Sequence, residues 1–476
     1  MSRTDDSFAA YESLLARHGQ PHLLRFWPEL DETRRRRLLD DLDQIDFDRV
    51  MPLVEPLVLS RPSASVPERL RPATVLPHTA DAARESMYRE ALGRGRTAIG
   101  EGRVAAFTVA GGQGTRLGFD GPKGAFEISP IRSACLFQLF AEYLLGTERR
   151  YGRRPPWYIM TSSSNHDATV ELFEGHGYFG LSAADVSFLE QGQMPAFGRD
   201  GRMLLSEPHR VALSPDGHGG SLSALARSGS LSDMAERGVE IISYFQVDNP
   251  LVAAIDPLFV GLHQLCESEF SSKAVTKADD LERVGNFCEV DGRLQVIEYS
   301  DLSDDLARQR NPDGSRRFDA GSIAIHAFDR SFVERVTSGD GEQLPWHRAE
   351  KKVPTVDDSG RLVTADSPNA IKLESFVFDA IPLARNAMVM YTRRSEEFSP
   401  VKNAEGVDSA VTARRDMIRR AAEWLEACGV SVPRSALGEP EVPIEISPSF
   451  ALDAEDLKDR LTQHSVTPND GPILLS

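Results

Sequence analysis

The stretch AGGQGTRLGFDGPKG, residues 110–124, follows directly on the apolar run VAAFTV and sets Arg116 and Lys123 among closely spaced glycines. Glycine lets a backbone pass through left-handed conformations and approach a ligand closely. Successive main-chain N–H groups in such a turn form a concavity that suits an anion. With two cations beside that backbone, the chemistry to consider is the binding of a polyanion. A dinucleotide fold would open a helix at the loop, but Pro122 and Gly124 interrupt it, and the apolar AFEI at 125–128 comes too soon for a crossover helix. A Walker A loop would need Gly-Lys-Ser/Thr at a fixed spacing, and the stretch has none. A long loop wrapped round a nucleoside triphosphate and a plain glycine turn both remain, and the loop by itself leaves the choice open.

Asp248 follows the apolar run VEIISYFQV, at the carboxyl edge where open parallel sheets bind ligands. A carboxylate there either shares a divalent cation with phosphate oxygens or caps the turn DNPLV. The chain as a whole is acidic, with 72 Asp and Glu against 54 Lys and Arg, a formal net charge of −18. That balance disfavours nonspecific binding to nucleic acid or to an anionic membrane. Remote charge is screened beyond about 8 Å, so an anionic ligand must be held by a local cluster of cations and amides.

The elements that must position these residues follow from periodicity. From residue 6 to about 95, FAAYESLLARHG and LLRFWPELDETRRRRLLDDLDQI place apolar residues at threes and fours and predict helices. Asp40 and Asp41 lie four residues beyond Arg36 and Arg37, which predicts ion pairs along a solvated helix rather than a nucleic-acid patch. LSRPSASVPERLRPATVLPHT reads as a wrapped connector. From about residue 100, the strand-like VAAFTVA, WYIMTS, VSFLEQ and VEIISYFQVD alternate with the helix-like SACLFQLFAEYLLGTERR, NHDATVELFEGHG and PLFVGLHQLCESE. Such alternation predicts an α/β fold with a mainly parallel sheet flanked by helices. NFCEVDGRLQVIEYSDL reads as a hairpin turning at Asp291-Gly292, hung off the edge of the sheet. The expected organisation is an N-terminal helical domain over 1–99, a central α/β domain over 100–384 and a small C-terminal domain over 385–476.

Cys135, Cys266, Cys288 and Cys428 are too dispersed for a disulfide framework or a zinc pattern. The segment MSRTDDSFAAYESLLARHGQ carries early charges and no sustained apolar run, and no stretch supplies the ~20 apolar residues of a membrane span. Reduced thiols in a soluble, cytoplasmic protein are expected.

The loop AGGQGTRLGFDGPKG resembles the nucleotide-binding signature of the eukaryotic-type UDP-sugar pyrophosphorylases, in particular the UDP-N-acetylhexosamine pyrophosphorylases. HLLRFWPEL at 22–30, GYFGLSAADVSFLEQGQMPAF at 177–197, LSPDGHGG at 213–220, QVDNPLV at 246–252 and VIEYSDLS at 296–303 match that family in order. So do PNAIKLESFVFD at 368–379, EEFSPVKNAEG at 396–406 and VPIEISPSF at 442–450, so the likeness spans nearly the whole chain. The resemblance implies a Rossmann-like, mixed but mainly parallel sheet of the nucleotidyltransferase (GT-A-like) kind. It implies a reaction of UTP with a sugar-1-phosphate, assisted by Mg2+, that gives a UDP-sugar and pyrophosphate. The attacking phosphate oxygen is already an anion, so the demand falls on positioning and charge neutralisation.

By this resemblance Arg116, Lys123, Lys372 and Lys402 neutralise phosphates, with Lys402 arriving from the C-terminal domain so that domain closure would complete the clamp. Asp248 holds the metal. Ala110, Gly111, Gly112, Gly114 and Thr115, with Gln191, Pro215, Gly217 and His218, bind the nucleotide, Gln191 offering a donor and an acceptor to the uracil edge. Gly285, Glu298, Tyr299 and Ser322 bind the sugar. The implied partners are UTP and the sugar phosphate, acting on a monomer or weak homo-oligomer.

The chain departs from the family at two places. His218 stands where the acetylhexosamine enzymes have Asn, while the UDP-glucose branch carries GHG there. DAGS, Asp319 to Ser322, stands where the family has NAG followed by a sugar-contacting Asn, so a short hydroxyl replaces a two-ended amide. N-Acetylglucosamine-1-phosphate is the expected sugar, with glucose-1-phosphate or a broad UDP-sugar range as the alternative. A noncatalytic nucleotide-sugar sensor would not need the retained charges, and a glycosyltransferase would not need cations wrapped round a triphosphate.

Overall fold

The apolar runs that alternate with helices assemble into one ten-stranded sheet, and the computed structural model describes it within residues 3–60, 69–339, 344–462 and 471–476. Its strands are β1 (Leu70–Pro72), β2 (Val104–Val109), β3 (Trp157–Thr161), β4 (Val186–Glu190) and β5 (Ile241–Gln246). They are followed by β6 (Phe270–Thr276), β7 (Asn286–Val290), β8 (Arg293–Ile297), β9 (Ala320–Asp329) and β10 (Ala387–Tyr391). The spatial order is β1-β7-β9-β5-β2-β3-β4, with β6 paired to β9 and β10 and β8 paired to β7. The run β5-β2-β3-β4 is parallel throughout, and β9 joins it antiparallel, so the sheet is mixed around a parallel centre.

Both faces of that centre are buried, which is why its strands read as continuous apolar runs. Trp157 and Phe245 on one face meet Phe140 edge-on, while Phe107 and Tyr244 pack on the other. The expected hairpin is present as β7 and β8. Val290 pairs with Arg293 across Asp291 (φ 50°) and Gly292 (φ 81°), the two left-handed residues that a two-residue turn matching the strand twist requires. It joins the sheet by the pairing of Asn286 with Gly321.

The described residues divide into two compact units, and the division differs from the three consecutive domains expected. The larger unit takes residues 66–190, 224–342 and 380–476; the smaller takes 1–65, 191–223 and 343–379. The helix Glu85–Gly100 falls in the larger unit because it packs closely on the helix Pro257–Leu265. A Cβ on Gly95 would lie 1.8 Å from the Pro257 carbonyl oxygen, and one on Gly261 would lie 1.6 Å from that of Ala91. The C-terminal segment has its own apolar cluster around Leu425, Ile444 and Leu457, yet it is tied into the larger unit. There Arg132 donates to Glu142 at 2.8 and 2.7 Å and to Glu445 at 2.7 Å.

In the smaller unit the helices Arg3–Arg17 and Glu32–Asp43 bury Leu15, Leu38 and Leu42 with Phe197, Ile371 and Leu373. Asp41 does not pair with Arg37 as the helix spacing predicted. It lies on the flank of Leu38 and Leu42, is buried, and accepts from Arg210 Nε at 2.8 Å and from the Val211 amide at 2.9 Å. Residues 61–68 of the expected connector lie outside the described residues. No described helix is long and apolar enough to cross a membrane.

The Gly261 contact is checked by thermal unfolding. Gly261→Val is expected to cost about 1–3 kcal/mol through overpacking and to lower the apparent Tm by several degrees. Gly93→Ala, in the same helix as Gly95 but facing open space, is expected to hold or raise it.

Candidate functional site

β2 and β5 are parallel neighbours in register, Val109 opposite Gln246, so the loops that leave their carboxyl ends emerge side by side. The first is the glycine loop. It folds back on itself, with the Gly114 amide donating to Gly121 O at 2.9 Å and the Lys123 amide to Gly112 O at 3.0 Å. Short 3-10 turns at Thr115–Leu117 and Lys123–Ala125 are separated by Gly118 (φ 70°) and Gly121 (φ 147°). Two of its glycines answer to packing: a Cβ on Gly124 would lie 2.1 Å from the Phe137 ring, and one on Gly114 would lie 2.6 Å from Phe119. Gly112, Thr115 and Arg116 are exposed, and Ala110 is buried at the end of the strand.

The second loop carries Asp248, which is 8% exposed; its Oδ2 lies 3.7 Å from Lys123 Nζ. The segment leading to Lys402 is docked on this turn. The Val401 amide donates to Asp248 O at 2.8 Å, Asn249 Nδ2 donates to Glu397 O at 2.6 Å, and the Ser399 amide donates to Asn249 Oδ1 at 3.2 Å. Lys402 is half-buried, its Nζ 5.8 Å from the Phe398 ring centre. A main-chain bond thus joins the segment before Lys402 to Asp248 inside the larger unit. Beside it burial pushes the Asp408 carboxyl above the usual range, with Lys402 opposing and Asp248 adding to the shift.

Sequence reasoning missed what lies under this docking. Lys273, wholly buried on β6, donates to Asp256 at 2.6 Å and to both oxygens of Glu397 at 2.6 and 2.7 Å. Burial opposes its charge, but the two carboxylates outweigh that and hold the ammonium protonated. The sequence FSSKAVT, with its two serines beside the lysine, gives no sign that this strand is buried.

The larger unit also brings together three of the four residues expected to bind a sugar. The Ser322 amide on β9 donates to Gly285 O at 2.8 Å, and a Cβ on Gly285 would lie 3.3 Å from Glu298 Oε1 and 3.8 Å from Ser322 Cβ. Tyr299 is 46% exposed. Asp319, the first of the DAGS residues, accepts from Arg316 Nη1 and from the Lys277 amide, each at 3.3 Å.

The smaller unit holds the remaining residues. Gln191 Nε2 donates to Gly217 O at 2.6 Å. Gly217 has φ 85°, and a Cβ there would lie 2.3 Å from Ser375 O, so glycine is required on both counts. Pro215 pairs with Gln193 in a short antiparallel ladder. His218 stacks on Phe376 at 5.2 Å between ring centres, and Phe376 stacks in turn on His347 at 4.4 Å. His218 Nδ1 accepts from the Val377 amide at 3.1 Å, so a neutral ring carries its proton on Nε2. Burial, with nearby His347 adding, lowers its pKa to about 4. Lys372 lies opposite Ala349 in a two-stranded ladder, half-buried, and burial lowers its pKa against the pull of Glu374.

No group of three or more His, Cys, Asp or Glu among the described residues could hold a metal ion by itself. Asp248 belongs to no such group. It fits a divalent cation whose other ligands are substrate oxygens and water.

Residues 76–426 match the family described as UTP–glucose-1-phosphate uridylyltransferase. The human UDP-N-acetylhexosamine pyrophosphorylase-like protein 1 is 38% identical over 481 residues, covering 93% of this chain and 93% of that protein. The UDP-N-acetylglucosamine pyrophosphorylase of Saccharomyces cerevisiae is 33% identical over 463 residues, covering 94% and 96%. In fold, the chain is similar to the uridine diphosphate N-acetylglucosamine pyrophosphorylase of Trypanosoma brucei, crystallised with an inhibitor. The TM-score is 0.82 at 24% identity, covering 100% of this chain and 98% of that one.

His218 gives the smaller unit a pH dependence of definite sign. Its pKa falls from 6.5 unfolded to about 4 folded, so between those values the unfolded chain binds more protons, and stability is lost as pH drops through that window. His218→Asn is expected to flatten this part of the curve of Tm against pH, with unfolding followed from pH 7 to 4.

Proposed function

This chain belongs to the UTP–glucose-1-phosphate uridylyltransferase family and is a UDP-sugar pyrophosphorylase, and from that premise we propose that it converts UTP and N-acetylglucosamine-1-phosphate to UDP-N-acetylglucosamine and pyrophosphate. The observation that carries the reading is the meeting of Lys123 and Asp248 at 3.7 Å where the glycine loop and the β5 turn emerge together. One cation and one carboxylate at a sheet edge can sort a triphosphate from its metal: the ammonium takes phosphate oxygens directly and the carboxylate takes them through a cation.

The sugar phosphate attacks in line. One of its anionic oxygens forms the bond to the α-phosphorus of UTP as the bond to the bridging oxygen breaks, and pyrophosphate leaves with that electron pair. No proton has to be removed from the nucleophile, so no base is required, and catalysis rests on holding charge and geometry. Lys123 and exposed Arg116 serve the triphosphate along the loop, Lys402 the phosphate nearest Asp248, and Lys372 a phosphate from its own ladder. The burial that lowers the pKa of Lys372 also strips water from its ammonium, so an arriving phosphate has less water to displace. Asp248 would hold Mg2+, which supplies neutralising charge to the phosphate oxygens when bound.

Ala110, Gly111, Gly112, Gly114, Thr115, Pro215, Gly217 and His218 serve the nucleotide in this reading, and Gln191 the uracil. Gly285, Glu298, Tyr299 and Ser322 serve the sugar. The four cysteines are free, which accords with a reducing, cytoplasmic setting. The chain acts here as a monomer or weak homo-oligomer.

Glucose-1-phosphate is the second reading, and Ser322 is the residue that favours it. Its hydroxyl is shorter than an amide and offers one donor, so an acetamido group finds less to bind. A site that hydrogen-bonds one substituent discriminates strongly against its absence. Pyrophosphate release from UTP with each sugar-1-phosphate decides between them: kcat/KM is expected to be at least about tenfold higher for N-acetylglucosamine-1-phosphate, and the reverse order would select glucose. Lys123→Ala is expected to lower kcat by about a hundredfold or more with the thermal transition unmoved.

A further inference from the structure

Three consecutive carbonyls of the glycine loop are held by a single turn of chain after β3. Asn165 Nδ2 donates to Ala110 O at 2.9 Å and to Gly112 O at 3.2 Å, and Ser162 Oγ donates to Gly111 O at 2.8 Å. The turn closes on itself, since the Ser162 amide donates to Asn165 Oδ1 at 2.8 Å. Both side chains are buried, at 1% exposure for Asn165 and 2% for Ser162.

A planar trans peptide points its C=O and N–H in opposite directions. Tying back the carbonyls of residues 110, 111 and 112 therefore turns the N–H groups of Gly111, Gly112 and Gln113 away from that turn. Among the described residues these three amides donate to no backbone carbonyl, whereas the amides on either side, Ala110 and Gly114, donate to Met160 O and Gly121 O. Successive unpaired amides of this kind form an anion-binding concavity.

Asn165 also occupies the N-cap of the helix His166–Gly175, where an Asn ordinarily accepts from its own helix, and it makes no such bond. Its amide serves the loop instead. We propose that Asn165, seconded by Ser162, is a positioning residue that presets the amides of Gly111, Gly112 and Gln113 to receive the phosphates of UTP. The proposal rests on the UTP reading above.

The test is steady-state kinetics of the full chain with UTP and sugar phosphate varied separately, beside calorimetry of UTP with Mg2+. Asn165→Asp keeps the size, the capping tendency and the acceptor for the Ser162 amide but cannot donate to either carbonyl when ionised. It is expected to raise KM for UTP about tenfold or more, in the range seen when outer-shell partners are lost, with KM for the sugar phosphate within twofold. Burial raises the pKa of the introduced carboxyl, and once protonated it donates one bond again. The UTP defect relative to wild type is therefore expected to shrink from pH 8 to pH 6, a readout that a merely structural role would not move. Ser162→Ala is expected to show a smaller defect of the same kind, and Ser162→Thr, which keeps the hydroxyl, to recover it.

KM for UTP within twofold of wild type in Asn165→Asp overturns the proposal, as does an equal rise in both KM values. Should that variant not fold, the Ser162 pair decides: equal behaviour of Ser162→Ala and Ser162→Thr overturns it. Failure of the wild-type chain to bind UTP is a different result, read before any variant, and removes the functional reading together with this inference.

Discussion

The arrangement depends on one constraint: the glycine loop and the Asp248 turn must leave the same sheet edge. Hydrogen bonding of β2 to β5 in parallel register imposes it, and the bond from the Val247 amide to Val109 O at 3.1 Å carries it one residue beyond the strands. A slip of one residue would turn every side chain of β5 to the opposite face, burying Tyr244 where Phe245 belongs. The apolar packing on both faces therefore fixes the register, and the register brings Lys123 to Asp248. An acidic chain has to concentrate cations locally to hold a polyanion, and the place of Lys123 beside Asp248 is set by core packing.

Beneath that edge the same problem recurs in a dry environment. Removing one partner of a buried charge group is strongly destabilising, yet such groups are weak evidence of net stability, because desolvation opposes the Coulomb gain. Lys273 with Asp256 and Glu397 is better understood by what it aligns. Glu397 holds Asn249 through its carbonyl and Lys273 through its carboxylate, so β6, the β5 turn and the segment before Lys402 share one hub. Four residues later the Val401 amide reaches Asp248 O. Lys402 is thus placed by main-chain bonds and a buried ion cluster, which are stiffer than a surface loop.

Much of this was legible in the sequence, for reasons that also mark the limit. VAAFTV, WYIMT and IISYFQ read as strands because burial on both faces leaves few polar positions and no polar-apolar alternation, and Asp291-Gly292 read as a turn because few other pairs tolerate two left-handed residues. Both are local signals. Asp41 was misread because the spacing to Arg37 is local, whereas its actual partner, Arg210, is 169 residues away. The division into units was missed for the same reason, since segments 1–65, 191–223 and 343–379 have no sequence continuity to announce that they share a core. At the site, the resemblance named Lys123 and Asp248 before either could be placed. It named none of Asn165, Ser162, Asn249 or Lys273, which act on backbone or on other side chains.

The two departures from the family pattern stand in different settings. Ser322 lies on β9 with its amide bonded to Gly285 and its Cβ near the place a Gly285 side chain would fill, so the backbone of that corner is set without help from the side chain. The side chain presents a hydroxyl at that corner. His218 is the opposite case. Its ring accepts from the Val377 amide and stacks on Phe376, which stacks on His347, so the side chain is part of the scaffold that holds Gly217 in its left-handed conformation. Asn could supply the acceptor but not the stacked face. The serine therefore changes only what its corner exposes, whereas the histidine is part of the packing around Gly217.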